Sequence, residues 1–290
     1  MKKRHAPSSF PAVVITGAST GIGKACALEL DRRGFHVFAG VRTEAVASQL
    51  RAEASARLIP VMLDVTDANM IAAAAKTVAE AVGAAGLAAL VNNAGIVVPG
   101  PIELVPIDAF RRQLEVNVIG QVAVTQAFLP LLRQGRGRVV NISSLNGGLA
   151  LPYMGPYSAS KFALEAITDA LRLELRTWGI RVSGVEPGAI ATPIWEKSLT
   201  AADQLASGIN PETIALYEAD LTAIRKAVDH SIRTAAPVDR VVKAVVHALT
   251  ARRPRTRYYL GWDVRLCFKS AKMLSDGARD WIIRKLTGLR

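Results

Sequence analysis

The sequence predicts an α/β fold in which helices flank one doubly wound parallel sheet. Short apolar runs alternate with helical patterns along the 290 residues, and parallel strands need such helices as connections. A glycine-rich turn joins the first apolar run to the first helical pattern, as in nucleotide-binding α/β folds. Half of the residues are hydrophobic, which is enough to bury one large core.

The predicted elements follow one another along the chain, with strands assigned to short apolar runs and helices to longer helical patterns. The strands are predicted over Ala12–Thr16, Phe35–Val41, Leu58–Leu63, Leu87–Asn92, Arg138–Ile142, Arg181–Glu186 and, as a short last strand, Arg257–Leu260. The helices are predicted over Thr20–Arg33, the alanine-rich Ala68–Val82, Ile107–Leu132, Pro156–Trp178 and Pro237–Ala251. No internal repeat or low-complexity linker interrupts this order, so residues 1–290 are expected to form a single domain.

Residues 191–236 break the alternation, because they form a long insertion between a predicted strand and the next strong helix. Insertions of this length in a compact fold are often lids over a site. The insertion is rich in apolar side chains, so we expect a helical substrate lid above an apolar pocket. The alternative is a pair of helices that simply pack on the core.

Charge is distributed unevenly within a formal net charge of +12. Residues 252–290 form a basic C-terminal extension with eleven Lys or Arg against three Asp, a net charge of +8. Such an extension, with apolar residues among its bases, can lie on an anionic membrane surface or attract anionic ligands. It can also be a helix that closes the substrate pocket or packs on the domain.

Composition also excludes several classes of protein for this chain. Residues 1–10 form a basic N-terminal arm without the apolar core of a signal peptide, and no run of about 18 uncharged apolar residues predicts a spanning helix. Cys26 and Cys267 lie far apart, and the four histidines show no ligand spacing, so no metal site is expected. These features fit a cytoplasmic protein with a small-molecule substrate and no nucleic-acid partner.

The turn Thr16–Gly23 connects the first strand to the first helix. Gly17 allows the tight turn, Gly21 lets the backbone approach a pyrophosphate, and Gly23 lets the helix pack closely on the sheet. The free amides and partial positive charge of the helix N-terminus attract the phosphates. This arrangement is typical of a Rossmann-type fold, and the predicted cofactor-binding residues are Gly17, Ser19, Thr20, Gly21, Ile22 and Gly23.

The end of the second strand indicates which dinucleotide binds. An acidic residue there would accept a hydrogen bond from the ribose 2′-hydroxyl of NAD. Here Arg42 follows Val41, and no acid precedes Glu44. Because an arginine can pair bidentately with a 2′-phosphate, NADP(H) is favoured over NAD(H). The alternative is that Arg42 is a solvated loop residue.

Tyr157 and Lys161 stand four residues apart, and Ser144 lies thirteen residues before the tyrosine. Positions i and i+4 share one face of a helix, so the ammonium would bias the phenol toward its anion. A tyrosine with a lowered pKa is a usable general acid or base. Tyr-x-x-x-Lys alone is also compatible with an ordinary helix that carries a surface lysine.

These motifs, in this order, resemble the short-chain dehydrogenase/reductase superfamily over roughly Ala12–Thr192. The resemblance implies a catalytic tetrad of Asn117, Ser144, Tyr157 and Lys161. It also implies further cofactor contacts from Asp64 and Val65 near the adenine, Asn92, Ala94 and Gly95 in a sheet-stabilising motif, and Pro187, Gly188, Ile190 and Thr192 beside the nicotinamide.

The implied reaction is hydride transfer between the nicotinamide and a carbinol or carbonyl carbon. Tyr157 would exchange the proton with the substrate oxygen, Lys161 would lower the pKa of that tyrosine and bond the nicotinamide ribose, and Ser144 would donate to the substrate oxygen. Asn117 would hold a water that links Lys161 to solvent. Taken singly, Asn117 could merely satisfy backbone groups, and Ser144 could cap the end of a strand.

The segment Arg253–Tyr259, followed by Gly261-Trp262-Asp263, resembles the retinol and hydroxysteroid dehydrogenase branch of that superfamily. The branch implies a large apolar alcohol or ketone as substrate. The superfamily also implies a homodimer or homotetramer paired through the two long helices. Two other functions remain open, namely a 3-oxoacyl reductase acting on a thioester or lactone-linked chain, and a nucleotide-sensing binding protein without catalysis.

Overall fold

The structure of the chain is a computed structural model that describes residues 11–261, 264–266, 268 and 273–289. The predicted N-terminal arm lies outside these residues, as do Trp262, Asp263 and Cys267. The secondary structure within the described residues follows the predicted alternation of strands and helices closely.

Seven strands are found where the sequence predicts them. They are β1 (Ala12–Ile15), β2 (His36–Val41), β3 (Leu58–Met62), β4 (Ala89–Asn92), β5 (Arg138–Ile142), β6 (Arg181–Pro187) and β7 (Arg257–Leu260). They form one parallel sheet in the order β3-β2-β1-β4-β5-β6-β7. The predicted single doubly wound sheet is therefore confirmed, with its switch point between β1 and β4, where such folds bind ligands.

Helices connect the strands and cover both faces of the sheet. They are α1 (Gly21–Arg32), α2 (Glu44–Glu53), α3 (Ala68–Val82), α4 (Ile107–Leu114), α5 (Gly120–Gly135), α6 (Gly155–Glu174), α7 (Ile194–Ser207), α8 (Pro211–Ala215), α9 (Glu218–Arg233), α10 (Asp239–Thr250) and α11 (Asp276–Thr287). Of these, α2 is not predicted from the sequence. It begins at Thr43, whose side chain accepts a hydrogen bond from the Val46 amide.

Two apolar cores lie on opposite faces of the sheet. In β1, Val13 and Ile15 enter the core beneath α1 and α10, whereas Ala12 and Val14 enter the core beneath α3 and α5. All four side chains are buried because successive residues of a strand point to opposite faces and this strand is covered on both. Continuous apolar runs therefore predict these strands correctly.

The long predicted helix over Ile107–Leu132 is interrupted. A π-helical turn, Glu115–Ile119, separates α4 from α5 and contains Asn117. Such turns re-aim side chains and are frequent at functional sites. Among the described helices, the continuous stretch Ile107–Gly135 is the one that is long and apolar enough to cross a membrane by length and composition. In this structure it packs against α3 and the sheet.

The insertion over residues 191–236 contains three helices, α7, α8 and α9, rather than a pair. None of their residues is fully buried, so the insertion lies on the surface of the domain. In the C-terminal extension, α11 packs against α9. The extension thus contacts the insertion instead of standing apart from the domain.

Candidate active site

The carboxyl ends of β1, β4, β5 and β6 carry the residues that the sequence predicts to act together. Thr16 follows β1, and Asn93 follows β4. Ser143 and Ser144 follow β5, and the loop after β6 begins at Gly188. Because parallel strands end at the same edge of a sheet, these groups meet in one crevice.

The glycine turn has the close packing that the sequence predicts. Gly17 has a φ of +63°, and a Cβ there would lie 2.8 Å from the Ala94 Cα. A Cβ at Gly23 would lie 2.3 Å from the Gly17 carbonyl oxygen. Side chains are excluded at both positions, so the turn presents bare backbone at the start of α1. This cradle fits the pyrophosphate of a dinucleotide.

Thr16 and Asn93 fix the shape of the turn, and neither residue is singled out by the sequence reasoning. The Thr16 hydroxyl accepts hydrogen bonds from the backbone amides of Asn93 and Ala94, both at 2.9 Å. The Asn93 amide nitrogen donates to the carbonyl oxygens of Thr16 (2.9 Å) and Gly17 (3.0 Å). Asn93 stands inside the Asn92–Gly95 motif, so its position in that motif is the signal that could have found it.

The rest of that motif joins neighbouring strands. The buried Asn92 amide donates to the Thr125 hydroxyl at 2.8 Å and to the Asn141 side-chain oxygen at 2.9 Å. Gly95 lies against Asn117, because a Cβ there would be 3.4 Å from the Asn117 Oδ1. Asn92 thus links β4 to β5 and α5 and stabilises the strand ends that form the crevice.

Arg42 lies at the end of β2, as predicted, with 62% of its side chain exposed. Its Nη1 is 3.8 Å from the Asp64 Oδ2. Burial raises the pKa of Asp64, but hydrogen bonds from Thr66 and the positive charges of Arg42 and Arg112 outweigh it, so the pKa lies below its ordinary value. Val65 packs beside Gly120, where a Cβ would be 2.6 Å from the Val65 carbonyl oxygen.

Tyr157 and Lys161 lie on one face of α6, and Ser144 lies next to the phenol. The Lys161 Nζ is 5.6 Å from the centroid of the Tyr157 ring and donates to the Ile142 carbonyl oxygen at 2.9 Å. The Ser144 hydroxyl makes a side-chain hydrogen bond with Tyr157 and accepts one from the Asn146 amide at 3.2 Å. The structure therefore brings together three of the four predicted catalytic residues.

Burial has opposite effects on the pKa values of Tyr157 and Lys161, and the expected lowering of the tyrosine pKa by Lys161 stays a prediction. Burial raises the pKa of Tyr157, and the hydrogen bond with Ser144 opposes that rise. Burial also lowers the pKa of Lys161 to about 8, while the charge of Glu165 opposes that fall. Burial is thus the largest influence on the pKa of both side chains in this structure.

Asn117 occupies the π-helical turn and is fully buried. Its side-chain oxygen accepts from the Ile96 amide at 2.9 Å. Its nitrogen donates to the Ile96 carbonyl at 3.0 Å and to the Ser160 hydroxyl at 3.1 Å. These bonds hold the loop after β4 against α6, so the side chain has a structural role here. Its predicted role in holding a water near Lys161 stays a prediction.

The predicted nicotinamide-side loop folds back over the glycine turn. Thr192 lies so close to Gly21 that a Cβ on the glycine would be 3.3 Å from the Thr192 Cβ. Ile190 is buried and pairs with Ala236, so the two ends of the insertion meet beside β6, just after Pro187 and Gly188.

Lys197 of α7 is a further candidate for the cofactor site. Its Nζ is 3.4 Å from the Thr20 hydroxyl, which places a cation over the glycine turn. Spacing along the chain does not reveal this contact, because the two residues lie 177 positions apart.

The opposite wall of the crevice is formed by the loop after β5, the loop before α6 and the insertion. The Tyr153 hydroxyl donates to Asp220 of α9 at 2.8 Å, and Tyr217 donates to Glu103. Tyr153 has a left-handed φ of 62°, which is uncommon for a residue other than glycine. Two tyrosines thus tie the insertion to the loops beside Tyr157.

The C-terminal extension also reaches this wall. A Cβ at Gly148 would lie 2.6 Å from the ring of Phe268, and that ring is 5.0 Å from the Tyr259 ring. The loop after Ser144 is therefore covered by an aromatic side chain of the extension.

A buried cluster of charges lies one helical turn beyond Lys161. The Arg257 guanidinium contacts Glu165 at 2.7 Å, Asp169 at 2.9 Å and the fully buried Glu186 at 3.5 Å. Burial, together with the charge of Glu165, raises the pKa of Glu186 to about 8 despite Arg257. The cluster links β6, β7 and α6 behind Lys161.

The chain is similar to known proteins over most of its length. A family model for short chain dehydrogenases matches residues 11–204. Human retinol dehydrogenase 5 is 42% identical over 98% of this chain and 92% of its own length. Bovine 17-beta-hydroxysteroid dehydrogenase type 6 is 39% identical over 94% of this chain and 87% of its own.

Solved structures share the fold. A short chain dehydrogenase from Burkholderia cenocepacia J2315, in complex with NADP, superposes with a TM-score of 0.70 and 27% identity over 95% of this chain and 97% of its own. A short chain dehydrogenase/reductase from Burkholderia phymatum, in complex with NAD, superposes with a TM-score of 0.76 and 25% identity over 93% of this chain and 96% of its own. The same fold therefore accommodates either dinucleotide.

Proposed function

From the premise that this chain belongs to the short chain dehydrogenase family, we propose that it interconverts an apolar alcohol and its carbonyl with NADP(H). Membership makes it an NAD(P)-dependent oxidoreductase acting on CH–OH groups, related to retinol and hydroxysteroid dehydrogenases. The observation that carries the finer proposal is the cluster of Tyr157, Ser144 and Lys161 beside a cradle that fits a dinucleotide.

Tyr157 transfers the proton and Ser144 positions the substrate oxygen. In reduction the protonated phenol donates to the carbonyl oxygen, and its raised pKa keeps the proton available at neutral pH. The Ser144 hydroxyl, already beside the phenol, donates to the same oxygen and stabilises charge as it develops there. In oxidation the direction of the proton is reversed, which requires the phenolate and therefore a pH high enough to ionise Tyr157.

Lys161 supplies a positive charge next to the phenol and bonds the ribose of the cofactor. Its pKa of about 8 keeps most of the amine protonated at pH 7. One N–H of the Lys161 ammonium donates to the Ile142 carbonyl, and the other two remain available to the ribose and to neighbouring groups. The bound dinucleotide supplies the hydride at its nicotinamide carbon, and the residues of this chain bind it and place the substrate.

The cofactor is held by the glycine turn, Asp64 and Val65, the Asn92–Gly95 motif and the loop over residues 187–192. We propose that Arg42 selects NADP(H). Its guanidinium is largely exposed at the end of β2, with Asp64 3.8 Å away as a weak partner, so it is available to a 2′-phosphate. Lys197 adds a second cation near the phosphates.

The substrate is proposed to be a large apolar alcohol or ketone, retinoid- or steroid-like. Two relatives with names of this kind align with almost the whole chain. The insertion supports the same substrate class, because it is rich in apolar side chains and Tyr153 and Tyr217 tie it to the loops beside the crevice. Leu216 and Ile102 are strongly exposed in this region and offer apolar contact area.

Assembly through the two long helical stretches is proposed as well. Exposed apolar side chains lie along them at Ile107, Ile119, Phe162 and Leu173. Such a row is typical of an interface between copies, and sedimentation of the purified protein measures whether a dimer or a tetramer forms. Peripheral membrane contact is proposed for the extension, where Trp281 and Leu286 are exposed near Arg284 and Lys285.

The proposed function is tested by titrating the protein with NADPH and NADH and by assaying apolar ketones against acyl thioesters. We expect tighter binding of NADPH, and a loss of about 10-fold or more in Arg42→Ala, since charge-assisted hydrogen bonds contribute about 1.5–3 kcal/mol. NADH binding should be unchanged. Arg51→Ala, which removes a nearby exposed charge, is the matched control. Equal affinities unaffected by the substitution would rule out the NADP(H) assignment, and turnover of thioesters alone would favour a 3-oxoacyl reductase.

A further inference from the structure

Four arginines meet at the amino edge of the sheet, opposite the candidate active site. They surround a pocket of about 280 Å³ lined by Arg136, Gly137, Arg138, Gly179, Arg181 and Arg252. Arg138 and Arg181 begin β5 and β6, whose other ends reach the crevice. Six residues of extended chain separate Arg138 from Ser144, which is roughly 20 Å at 3.3 Å per residue. This arginine pocket is therefore separate from the cofactor site.

The four side chains come from four separate segments of the chain. Arg136 follows α5, Arg252 follows α10, and the other two begin neighbouring strands. The parallel register places Arg138 directly beside Arg181. The fold thus concentrates four positive charges that lie up to 116 positions apart in the sequence.

No carboxylate pairs with these guanidinium groups in the part of the chain that the structure describes. The ion pairs found there involve Lys24 and other arginines. The bonds that the pocket arginines do make go to neutral acceptors. Arg138 donates to the Ala248 carbonyl at 2.7 Å, and Arg181 donates to the Arg252 carbonyl. The two carbonyls fix the guanidinium planes but leave their charge uncompensated.

The cost of this arrangement is visible at Arg138. Burial and the neighbouring charge of Arg181 lower the pKa of the half-buried Arg138. Like charges held together on rigid strand ends are destabilising unless an anion lies between them.

We propose that the arginine pocket is a binding site for a phosphate-bearing anion with more than one negative charge. Planar guanidinium groups bind phosphate oxygens bidentately, and four of them match a pyrophosphate or a phosphomonoester better than they match a carboxylate. Arg136, Arg181 and Arg252 are exposed, so the anion can enter from solvent. It can be a soluble organic phosphate or the phosphate of a lipid headgroup.

The first arm of the test uses inorganic pyrophosphate as the probe, titrated calorimetrically into the full-length protein at constant ionic strength. The protein is first saturated with NADPH or NADH, whichever binds more tightly, so that pyrophosphate cannot occupy the cofactor cradle. We expect one saturable site per chain and a rise in Tm with pyrophosphate concentration. Arg138→Gln combined with Arg181→Gln should weaken binding at least 10-fold.

Two further variants keep the test interpretable. Arg136→Gln with Arg252→Gln removes exposed side chains and should also weaken binding, even if loss of the more buried pair harms folding. Arg32→Gln with Arg111→Gln is the control, since it removes two positive charges from side chains that are 71% and 75% exposed elsewhere on the surface. Its pyrophosphate binding should equal that of the unaltered protein.

The second arm uses phosphatidylcholine vesicles with and without phosphatidic acid, to distinguish the two sources of the phosphate. Co-sedimentation that requires phosphatidic acid and is lost in the arginine-pocket variants, together with weak pyrophosphate binding, identifies a lipid headgroup. Tight pyrophosphate binding without such sedimentation identifies a soluble phosphate. The proposal is overturned if neither probe binds saturably, or if the control pair weakens binding as much as the pocket pairs do.

Discussion

Arginines at two places in this sheet have opposite surroundings. Behind the candidate active site, Arg257 is 17% exposed and contacts three carboxylates, including the fully buried Glu186. At the amino edge, the arginine pocket holds four guanidinium groups. Within the described residues, two of them donate to carbonyl oxygens and none pairs with a carboxylate. Burying an unpaired charge is costly, so a buried arginine needs protein partners. An arginine at the surface is solvated by water and remains available to bind a ligand. Pairing therefore indicates a structural role, and unpaired clustering indicates a binding surface.

The largest effect should come from Tyr157→Phe, which removes the proposed proton donor at the candidate active site and leaves the amino edge untouched. We expect turnover to fall by about 10³-fold, within the range for general acid–base catalysis, with nucleotide binding nearly unchanged. Steady-state rates and fluorescence titration measure the two quantities. The arginine-pocket variants should keep most of their turnover, and appreciable activity in the phenylalanine variant would contradict the role of Tyr157.

Removing Arg257 should destabilise the protein far more than removing a pocket arginine. In Arg257→Met the carboxylates of Glu165 and Asp169 lose their counter-charge and Glu186 loses a hydrogen-bond donor, which typically costs about 3–5 kcal/mol of unfolding free energy. Arg181→Met removes an exposed, unpaired charge and should change stability by about 0.5 kcal/mol or less. Urea unfolding of both variants measures the difference. Similar losses of unfolding free energy in both variants would show that the two groups of arginines do not differ in their contribution to stability.

The paired cluster should also make stability depend on pH. Folding raises the pKa of Glu186 from its ordinary value of 4.5 to about 8, so the folded state binds the extra proton. This contribution is fully present below pH 4.5 and is lost as the pH rises through 8, with a size on the order of a few kcal/mol. Glu186→Gln should flatten the decline in unfolding free energy across that window. Glu80→Gln, which replaces an exposed carboxylate, is the control and should leave the pH dependence of the unfolding free energy unchanged.

The smallest effect concerns the contact between the insertion and the site. Tyr153→Phe removes a hydrogen bond to Asp220, with a typical net contribution of about 0.5–1.5 kcal/mol. We expect the KM for an apolar ketone to rise about 2- to 10-fold with kcat little changed. A double-mutant cycle with Asp220→Asn isolates the pair. Additive effects of the two substitutions would show that the contact does not hold the insertion over the site.

Local patterns predict the strands and the cofactor turn well. β5 and β7 have the predicted bounds, as does α3, because apolar runs and helical periodicity are properties of neighbouring residues. The predicted roles of Gly17 and Gly23 agree with the close contacts at both positions. The helix α2 is missed, since its surface residues give a weaker apolar pattern. The break at Glu115–Ile119 is also missed, because the sequence there still reads as continuous helix.

By itself, the sequence determined the doubly wound sheet, the nucleotide cradle and the spacing that places Tyr157, Lys161 and Ser144 together. These follow from periodicity and from helix and turn geometry, which act over a few residues. Tertiary structure alone decided which charges are paired. Arg257 meets Glu186 across 71 positions, and Arg138 lies beside Arg181 across 43. It also decided that burial raises the pKa of Tyr157. Burial and long-range contacts depend on the packing of distant segments, and no local pattern contains that information.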